Sequence, residues 1–119
     1  MDRSDFQKIE HIKVWCGKII ICTQNINNSC DTFKDNFIYQ DAISMALLQI
    51  SKLSHELSED FKKSTEHIIS WSWEEVYDLR NLFNHGNLEL ALDKIWQIAV
   101  DDIPLFYNFC IETSLKSHH

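Results

Sequence analysis

The chain has 119 residues and a mass of 14.1 kDa, which fits a single domain over residues 1–119. Hydrophobic residues make up 45% and charged residues 24%, close to the globular average, which excludes disordered, collagen-like and low-complexity classes. Eighteen acidic against eleven basic residues give a net charge of -7, which disfavours loose binding to nucleic acid or an anionic membrane. Two glycines and one proline are too few for the turns of a β-sandwich or barrel, so the composition predicts an all-α fold.

The first half of the chain predicts two long helices. Apolar residues at three-and-four spacing run from Phe6 to Ile26, and the Asn- and Ser-rich residues 25–31 end this first helix. The pattern resumes from Phe33 to Leu57 as a second helix, long enough to pair antiparallel with the first. Residues 58–72 lose the pattern and predict a loop with one short turn.

The second half predicts two or three further helices. Ser72 and Glu75 have the spacing of a capping box, so a third helix should start there, and it should end near Asn84 with Gly86 as a left-handed cap. A fourth helix covers residues 88–101, and Pro104 suits the first turn of a fifth. The sum is an up-and-down bundle of four to five helices.

The cellular compartment and the cofactors are predicted from sequence signals that the chain lacks. The charged N-terminus has no apolar leader segment, and no stretch reaches the roughly eighteen apolar residues of a membrane span, so we expect a cytoplasmic protein without a membrane partner. The four cysteines form no CxxC pair and match no zinc module, so we expect reduced core thiols, no metal and no cofactor. His118 and His119 are either native residues or the remnant of a purification tag, and they are excluded as site candidates.

The polar run from Asp78 to Asn87 is the strongest candidate site. Arg80 and Asn84 share a helix face, whereas the five-residue separation of Arg80 and His85 does not by itself place them together. A break at Gly86 would let the His85 ring turn toward Arg80. The alternative is structural: Arg80 pairs with Asp78 or an acid across the bundle, and His85 caps the helix.

A guanidinium beside an imidazole suits phosphoryl chemistry on RNA. Arginine holds non-bridging phosphate oxygens, and histidine transfers a proton near neutral pH. Cleavage by the ribose 2′-hydroxyl needs both a base and an acid, and a single His85 supplies only one of them. A symmetric dimer that brings two copies of the pair to one cleft would supply both.

The segment ISWSWEEVYDLRNLFNHGN, followed by a helix with Ile95 and Trp96 and then DIPLF, resembles the HEPN-domain proteins of the HepT type. In that family a tryptophan precedes a helix bearing R-N-x-x-x-H, and Arg80, Asn81 and His85 match the motif residue for residue. The resemblance implies a metal-independent endoribonuclease that works as a homodimer, as the toxin of a toxin–antitoxin pair. It also implies a minimal nucleotidyltransferase as the cognate antitoxin.

Two features depart from the family pattern. Many HepT-type proteins carry a tyrosine two residues after the histidine, the target of AMP transfer by the partner, and Asn87 stands there in this chain. Between Glu74 and Asp102 there are seven acids and two basic residues, an unfavourable setting for a polyanion. These features support a second hypothesis, a non-catalytic subunit that docks a nucleotidyltransferase and holds its nucleotide or substrate. A third hypothesis is a scaffolding dimer.

Other residues have weaker claims on a site. Five lysines would line an RNA groove only if the fold or a dimer gathers them: Lys8, Lys13, Lys52, Lys62 and Lys63. Trp71 and Trp73 flank the motif helix, where they would either stack on bases or, more commonly at helical spacing, belong to the core. His55 and Glu56 lack the second histidine of H-E-x-x-H, so His55 is interpreted as a surface residue, and Tyr77 is given little weight.

Overall fold

A computed structural model describes residues 1–69, 71–84 and 86–116. Seven α-helical segments lie in this part of the chain: α1 Arg3–Asn25, α2 Cys30–Lys34, α3 Phe37–His55, α4 Glu59–Thr65, α5 Trp73–Asp78, α6 Leu88–Gln97 and α7 Ile103–Lys116. A 3₁₀ turn, Leu79–Asn84, extends α5, and a π turn, Ile98–Asp102, joins α6 to α7. The described residues contain no strand, so the predicted all-α helical bundle is confirmed.

The core of the bundle lies between α1, α3 and α7. α1 buries the stripe Ile9, Ile12, Cys16 and Ile19, the three-and-four spacing that predicted this helix. Near its start, the buried carboxylate of Asp5 accepts hydrogen bonds from the backbone N–H and the hydroxyl of Ser58. Because Ser58 follows the end of α3, this contact shows that α1 and α3 run antiparallel.

The predicted second helix is divided into α2 and α3. α2 ends at Lys34 with Asp35 as its C-cap, and Asn36 begins α3 because its side-chain oxygen accepts from the N–H groups of Ile38 and Tyr39 as an N-cap. Gln40 closes the break by donating its amide to the carbonyls of Phe33 and Lys34. The caps at Asp35 and Asn36 therefore divide a continuous apolar pattern into two helices.

Two other predicted boundaries also need correction. The expected loop at 58–72 contains α4, which Ser58 caps by accepting from the N–H of Phe61. The expected break between residues 101 and 104 is instead a π turn that continues the helical path into α7. Pro104 has no N–H and its ring crowds the carbonyl four residues earlier, and the wider π turn accommodates both effects.

The third helix begins where the capping pattern predicted. The hydroxyl of Ser72 accepts from the N–H of Glu75, and the helical segment ends at Asn84 as expected. Gly86, however, has no positive φ, and the described residues in the left-handed region are Asn27 and Asn28, after α1. Their amide side chains stabilise that conformation locally, which ends α1 without a glycine.

Candidate active site

The segment that carries Arg80 is a short α-helix continued by a tighter 3₁₀ turn. Side chains three residues apart are almost eclipsed in a 3₁₀ turn, so Tyr77 and Arg80 are brought close together. The hydroxyl of Ser51, on α3, donates to the carbonyl of Tyr77 and ties this segment to the bundle. α3 therefore sets the position of Arg80 through Tyr77.

The Arg80 guanidinium is exposed and lies over the ring of Tyr77, with Cζ 4.4 Å from the ring centroid. This is a cation–π contact, which restrains a flexible arginine while leaving its N–H groups available to a ligand. Within residues 1–69, 71–84 and 86–116, no carboxylate forms an ion pair with Arg80. The structural alternative, in which Arg80 pairs with Asp78 or an acid across the bundle, is therefore wrong for the described residues.

His55 completes a three-residue stack on Tyr77. Its imidazole lies 4.1 Å from the phenol ring, centroid to centroid, at an interplanar angle of 17°. His55 and Arg80 therefore both contact the ring of Tyr77. We call His55, Tyr77 and Arg80 the Arg80 stack.

His55 and Tyr77, two of the three residues of the Arg80 stack, line a cleft of about 500 Å³. Its basic residues are His55, Lys62 and Lys63, and its acidic residues are Glu59, Glu66 and Glu74. Lys62 pairs with Glu59 at 3.2 Å, whereas Lys63 forms no ion pair with any residue that the structure describes. We call this the lysine cleft.

The five lysines that were candidates for an RNA groove lie in different parts of the fold. Lys62 and Lys63 line the lysine cleft, and Lys52 is exposed on α3, one turn before His55. Lys8 donates to the hydroxyl of Ser4, and Lys13 pairs with Glu10, so both are engaged locally on α1. Of the five lysines, the fold thus places Lys62 and Lys63 in the cleft beside Tyr77, where three glutamates accompany them.

Asn81 faces a different cleft from the Arg80 stack. This second cleft, about 400 Å³, includes Glu75, Asp78 and Asp102, and we call it the acidic cleft. Burial, the neighbouring Asp101 and then Glu75 raise the pKa of Asp102. The Asn81 side-chain oxygen accepts from the amide of Asn84 at 3.3 Å. Arg80 and Asn81, adjacent in the motif, therefore have different surroundings: Arg80 lies on the Tyr77 ring, and Asn81 lines the acidic cleft.

His85 lies outside the described residues, as do His118 and His119. The structure does place Asn87, at the position of the family tyrosine. Its side-chain oxygen accepts from the N–H of Leu90 at 3.2 Å and caps α6. Asparagine is among the best N-cap residues, so Asn87 has a structural role where many relatives carry a tyrosine.

The tryptophans that flank the motif are core residues. Trp71 is buried and meets Phe106 edge-on, with the ring centroids 5.7 Å apart. Trp73 is half-buried among Phe61, Phe106 and Phe109, and its indole N–H donates to the hydroxyl of Thr65 at 3.0 Å. Base stacking by Trp71 would require the core to open, so its interpretation as a core residue is confirmed, whereas Trp73 packs against the core and also lines the lysine cleft.

The cysteines are free thiols. Cys16 and Cys110 are buried in contact with each other, and the hydrogen bond between them, together with burial, raises the pKa of Cys16 well above its usual value. Among the described residues, no group of three or more His, Cys, Asp or Glu side chains is placed to hold a metal ion. No helix in the same part of the chain is long and apolar enough to cross a membrane.

Sequence reasoning missed His55 and gave little weight to Tyr77. The Tyr77–Arg80 contact was detectable, because residues three apart on a helix are neighbours. His55 lies 22 positions before Tyr77 on another helix. No local signal joins the two, and only the packing of α3 against α5 does.

The model of one known family covers most of the chain. Residues 9–113 match the model of the HepT-like family, described as Ribonuclease HepT-like. No curated protein and no solved structure matches the chain significantly. The chain belongs to the HepT-like family, and its helical bundle is of the HEPN-like fold.

Proposed function

We propose that this HepT-like chain is a metal-independent endoribonuclease that acts in the cytoplasm as the toxin of a toxin–antitoxin pair. The observation that carries the proposal is the Arg80 guanidinium, exposed and held on Tyr77 without a carboxylate partner among the described residues. An arginine that only stabilised the bundle would be expected to pair with one of the many acids nearby. A restrained cation open to solvent is what recognition of a phosphodiester requires.

The chemistry proceeds without a cofactor. A base takes the proton of the ribose 2′-hydroxyl, the 2′-oxygen bonds to phosphorus, the bond from phosphorus to the 5′-oxygen breaks, and an acid protonates that oxygen. Arg80 holds the non-bridging oxygens and stabilises the charge that develops on them. His85 transfers a proton in one role, and His85 of a second copy transfers the other. Asn81 positions the substrate or the segment that carries His85.

The proposed partner is a minimal nucleotidyltransferase acting as antitoxin. Asn87 has no hydroxyl and caps α6, so AMP transfer to this position is excluded. Silencing then depends on another acceptor or on covering the Arg80 stack. The lysine cleft beside the stack is open to such a partner.

An RNA digestion assay tests the proposal. Arg80→Ala and His85→Ala should each reduce cleavage by about a hundredfold to ten-thousandfold, because a positioned proton-transfer or charge-stabilising group contributes that much. Arg3→Ala is the matched control for Arg80, since it removes the other arginine of the chain, also exposed. His67→Ala, an exposed histidine on the loop after α4, is the control for His85.

A chelation experiment tests whether cleavage is independent of metal ions. Cleavage should persist in excess EDTA, because no step uses a metal. Intact RNA after incubation with the wild-type protein, or a His85→Ala variant as active as wild type, would refute the proposed nuclease.

The acidic cleft favours a second candidate function, the non-catalytic partner subunit of a minimal nucleotidyltransferase. Glu75, Asp78 and Asp102 surround Asn81 and repel an RNA phosphate, whereas they would complement a basic protein surface. In that case the chain should co-purify with the nucleotidyltransferase and leave growth unaffected on expression. Growth arrest that depends on His85 would favour the nuclease instead.

A further inference from the structure

A third cleft lies between α3 and the start of α6. Its volume is about 300 Å³, at the low end of the range for small-molecule sites, so it fits one flat ring system better than a larger ligand. α3 supplies a polar wall of Gln40, Asp41 and Ser44, and α6 supplies an apolar floor. Gly86, which follows the motif segment, completes the rim. We call this the α3–α6 cleft.

The polar wall is rich in hydrogen-bond acceptors. Asp41 is exposed, and its carboxylate takes part in none of the ion pairs that the described residues form. Gln40 donates its amide hydrogens to the carbonyls of Phe33 and Lys34, so its side-chain oxygen is the group it can offer a ligand. The Ser44 hydroxyl can accept or donate. A ligand that fits this wall should therefore present several N–H donors along one edge.

The floor and the rim suit the face of a flat ring. Ala91, Leu92 and Ile95 are buried beneath the cleft, and they offer no oxygen ligand to a hydrated cation. Leu88 is 69% exposed and adds apolar area beside them. A Cβ placed on Gly86 would meet no atom within 4 Å beyond its chain neighbours, so the rim is open at this point.

Guanine is the nucleobase whose edge matches this wall. Its ring N1–H and its 2-amino group are adjacent donors that can bond to the two oxygens of one carboxylate, and its O6 can accept from a hydroxyl. Adenine and cytosine place a ring nitrogen acceptor beside their amino group, and uracil places its N–H between two carbonyls. Each of these acceptors would face a carboxylate oxygen of Asp41 and leave both groups without a hydrogen bond.

The α3–α6 cleft lies within reach of a strand held at Arg80. The 3₁₀ turn that contains Arg80 packs against α3, and the hydroxyl of Ser51 anchors the carbonyl of Tyr77. Ser44, on the wall of the cleft, precedes Ser51 by seven residues, which is about 10 Å along the helix. Neighbouring nucleotides of a single strand span such a distance. A strand whose phosphate contacts Arg80 can therefore place a base in the cleft.

We propose that the α3–α6 cleft binds a guanine base of the RNA substrate, with the Asp41 carboxylate accepting from N1–H and the 2-amino group. Asp41 is thus a specificity-determining residue that contacts the base and takes no part in proton transfer. The proposal deepens the proposed function, on which the RNA source of the base rests. The cleft itself is argued from its acceptors and its apolar floor, so its test measures binding without cleavage.

The probe is a short, fluorescently labelled oligouridine strand with one central guanosine. All its riboses are 2′-O-methylated, so they have no 2′-hydroxyl to attack the phosphate. The guanosine strand should bind roughly five- to hundredfold more tightly than the same strand with adenosine, because a bidentate base contact discriminates by about that factor. The inosine strand should bind with intermediate affinity, because inosine keeps N1–H but lacks the 2-amino group. Fluorescence anisotropy measures each dissociation constant.

Asp41→Asn tests the residue that reads the base. Its amide nitrogen would meet a guanine donor, so the preference for guanosine over adenosine should fall below about threefold. Asp60→Asn is the matched control, since it makes the same change of charge at an exposed aspartate on α4, and it should keep the wild-type preference. Circular dichroism checks that both variants are folded.

Three results would overturn the proposal. They are equal affinity of the wild type for the guanosine and adenosine strands, a guanosine preference that survives in Asp41→Asn, and an equal loss of preference in Asp60→Asn. Guanosine 5′-monophosphate should compete only weakly with the labelled strand, because it lacks the neighbouring nucleotides. Competition at the affinity of the strand would assign the cleft to a free nucleotide and refute the RNA source.

The outcomes separate the cleft from the activity. A guanosine preference that depends on Asp41, in a protein that leaves unmodified RNA intact, would retain the cleft and refute the nuclease. Cleavage of unmodified RNA with no base preference, unchanged by Asp41→Asn, would refute the guanine site alone.

Discussion

The guanidinium carbon of Arg80 lies 4.4 Å from the ring centroid of Tyr77, and the imidazole of His55 stacks on the same ring at a centroid distance of 4.1 Å. Tyr77 therefore supports Arg80. The contact matters because Arg80 has no carboxylate among the described residues to fix its direction.

We expect Tyr77→Leu to weaken RNA cleavage roughly two- to thirtyfold, mainly through a higher KM, because a cation–π contact is worth about 0.5 to 2 kcal/mol. Tyr77→Phe keeps the aromatic face and should retain near wild-type KM. Steady-state cleavage of a short RNA separates KM from kcat in both variants. Equal loss in the Leu and Phe variants would show that the ring face does not position Arg80.

Asp5 should stabilise the fold by linking the start of α1 to Ser58, which follows the end of α3. Its buried carboxylate accepts from the N–H of Ser58 at 2.9 Å and from its hydroxyl at 2.6 Å. Because hydrogen bonds to a charged group contribute about 1.5 to 3 kcal/mol, Asp5→Ala should lower the free energy of unfolding by an amount in that range. Urea denaturation measures it.

A double-mutant cycle isolates the contact between the two residues. Ser58→Ala removes the hydroxyl and the cap of α4, and the double variant with Asp5→Ala should be less destabilised than the sum of the single ones. Strict additivity would mean that the two side chains do not interact in solution.

The hydrogen bond from the indole N–H of Trp73 to the hydroxyl of Thr65 should contribute to the stability of the fold. Thr65→Val keeps the shape but leaves the Trp73 N–H without its acceptor, and the cost should be about 1 to 3 kcal/mol of unfolding free energy. Ser64→Ala, on the exposed side of the same helix, is the control and should cost about 0.5 kcal/mol or less. Thermal unfolding monitored by tryptophan fluorescence compares them, and equal costs would contradict the assigned hydrogen bond.

Asp102 should make stability depend on pH with a defined sign. Its folded-state pKa is raised by burial, Asp101 and Glu75, so the folded state binds its proton more tightly than the unfolded state does. The contribution favours folding below the ordinary carboxyl pKa and is lost as pH rises through the raised value. At pH 7, Asp102→Asn should therefore stabilise the protein, by about 0.5 kcal/mol or less because the carboxylate is partly solvated.

Urea midpoints at pH 7 and at pH 3 test this dependence. The stabilisation by Asp102→Asn should disappear at pH 3, where the carboxyl is protonated in both states. Glu112→Gln, which alters an exposed carboxylate on α7, is the control and should show no such trend. A gain that is the same at both pH values would rule out the carboxylate as its source.

The amino-acid sequence alone predicted the helical class, the stripe of α1, the cap at Ser72 and the end of the motif segment at Asn84. These features depend on periodicity and on hydrogen bonds between residues close in the chain, so local sequence is sufficient. It did not predict the break at Asn36 or the continuous path past Pro104. There an amide cap and a π turn, respectively, overruled the apolar pattern.

The surroundings of the motif were decided by tertiary structure. Sequence placed Arg80 and Asn81 in one motif, but in the folded chain Arg80 lies on the Tyr77 ring that His55 also contacts, whereas Asn81 lines a cleft with Asp102. Neighbouring side chains on a helix point in different directions, and what each one meets depends on residues far away in the chain. Contacts between residues that are distant in the sequence leave no local pattern, so only the tertiary structure shows them.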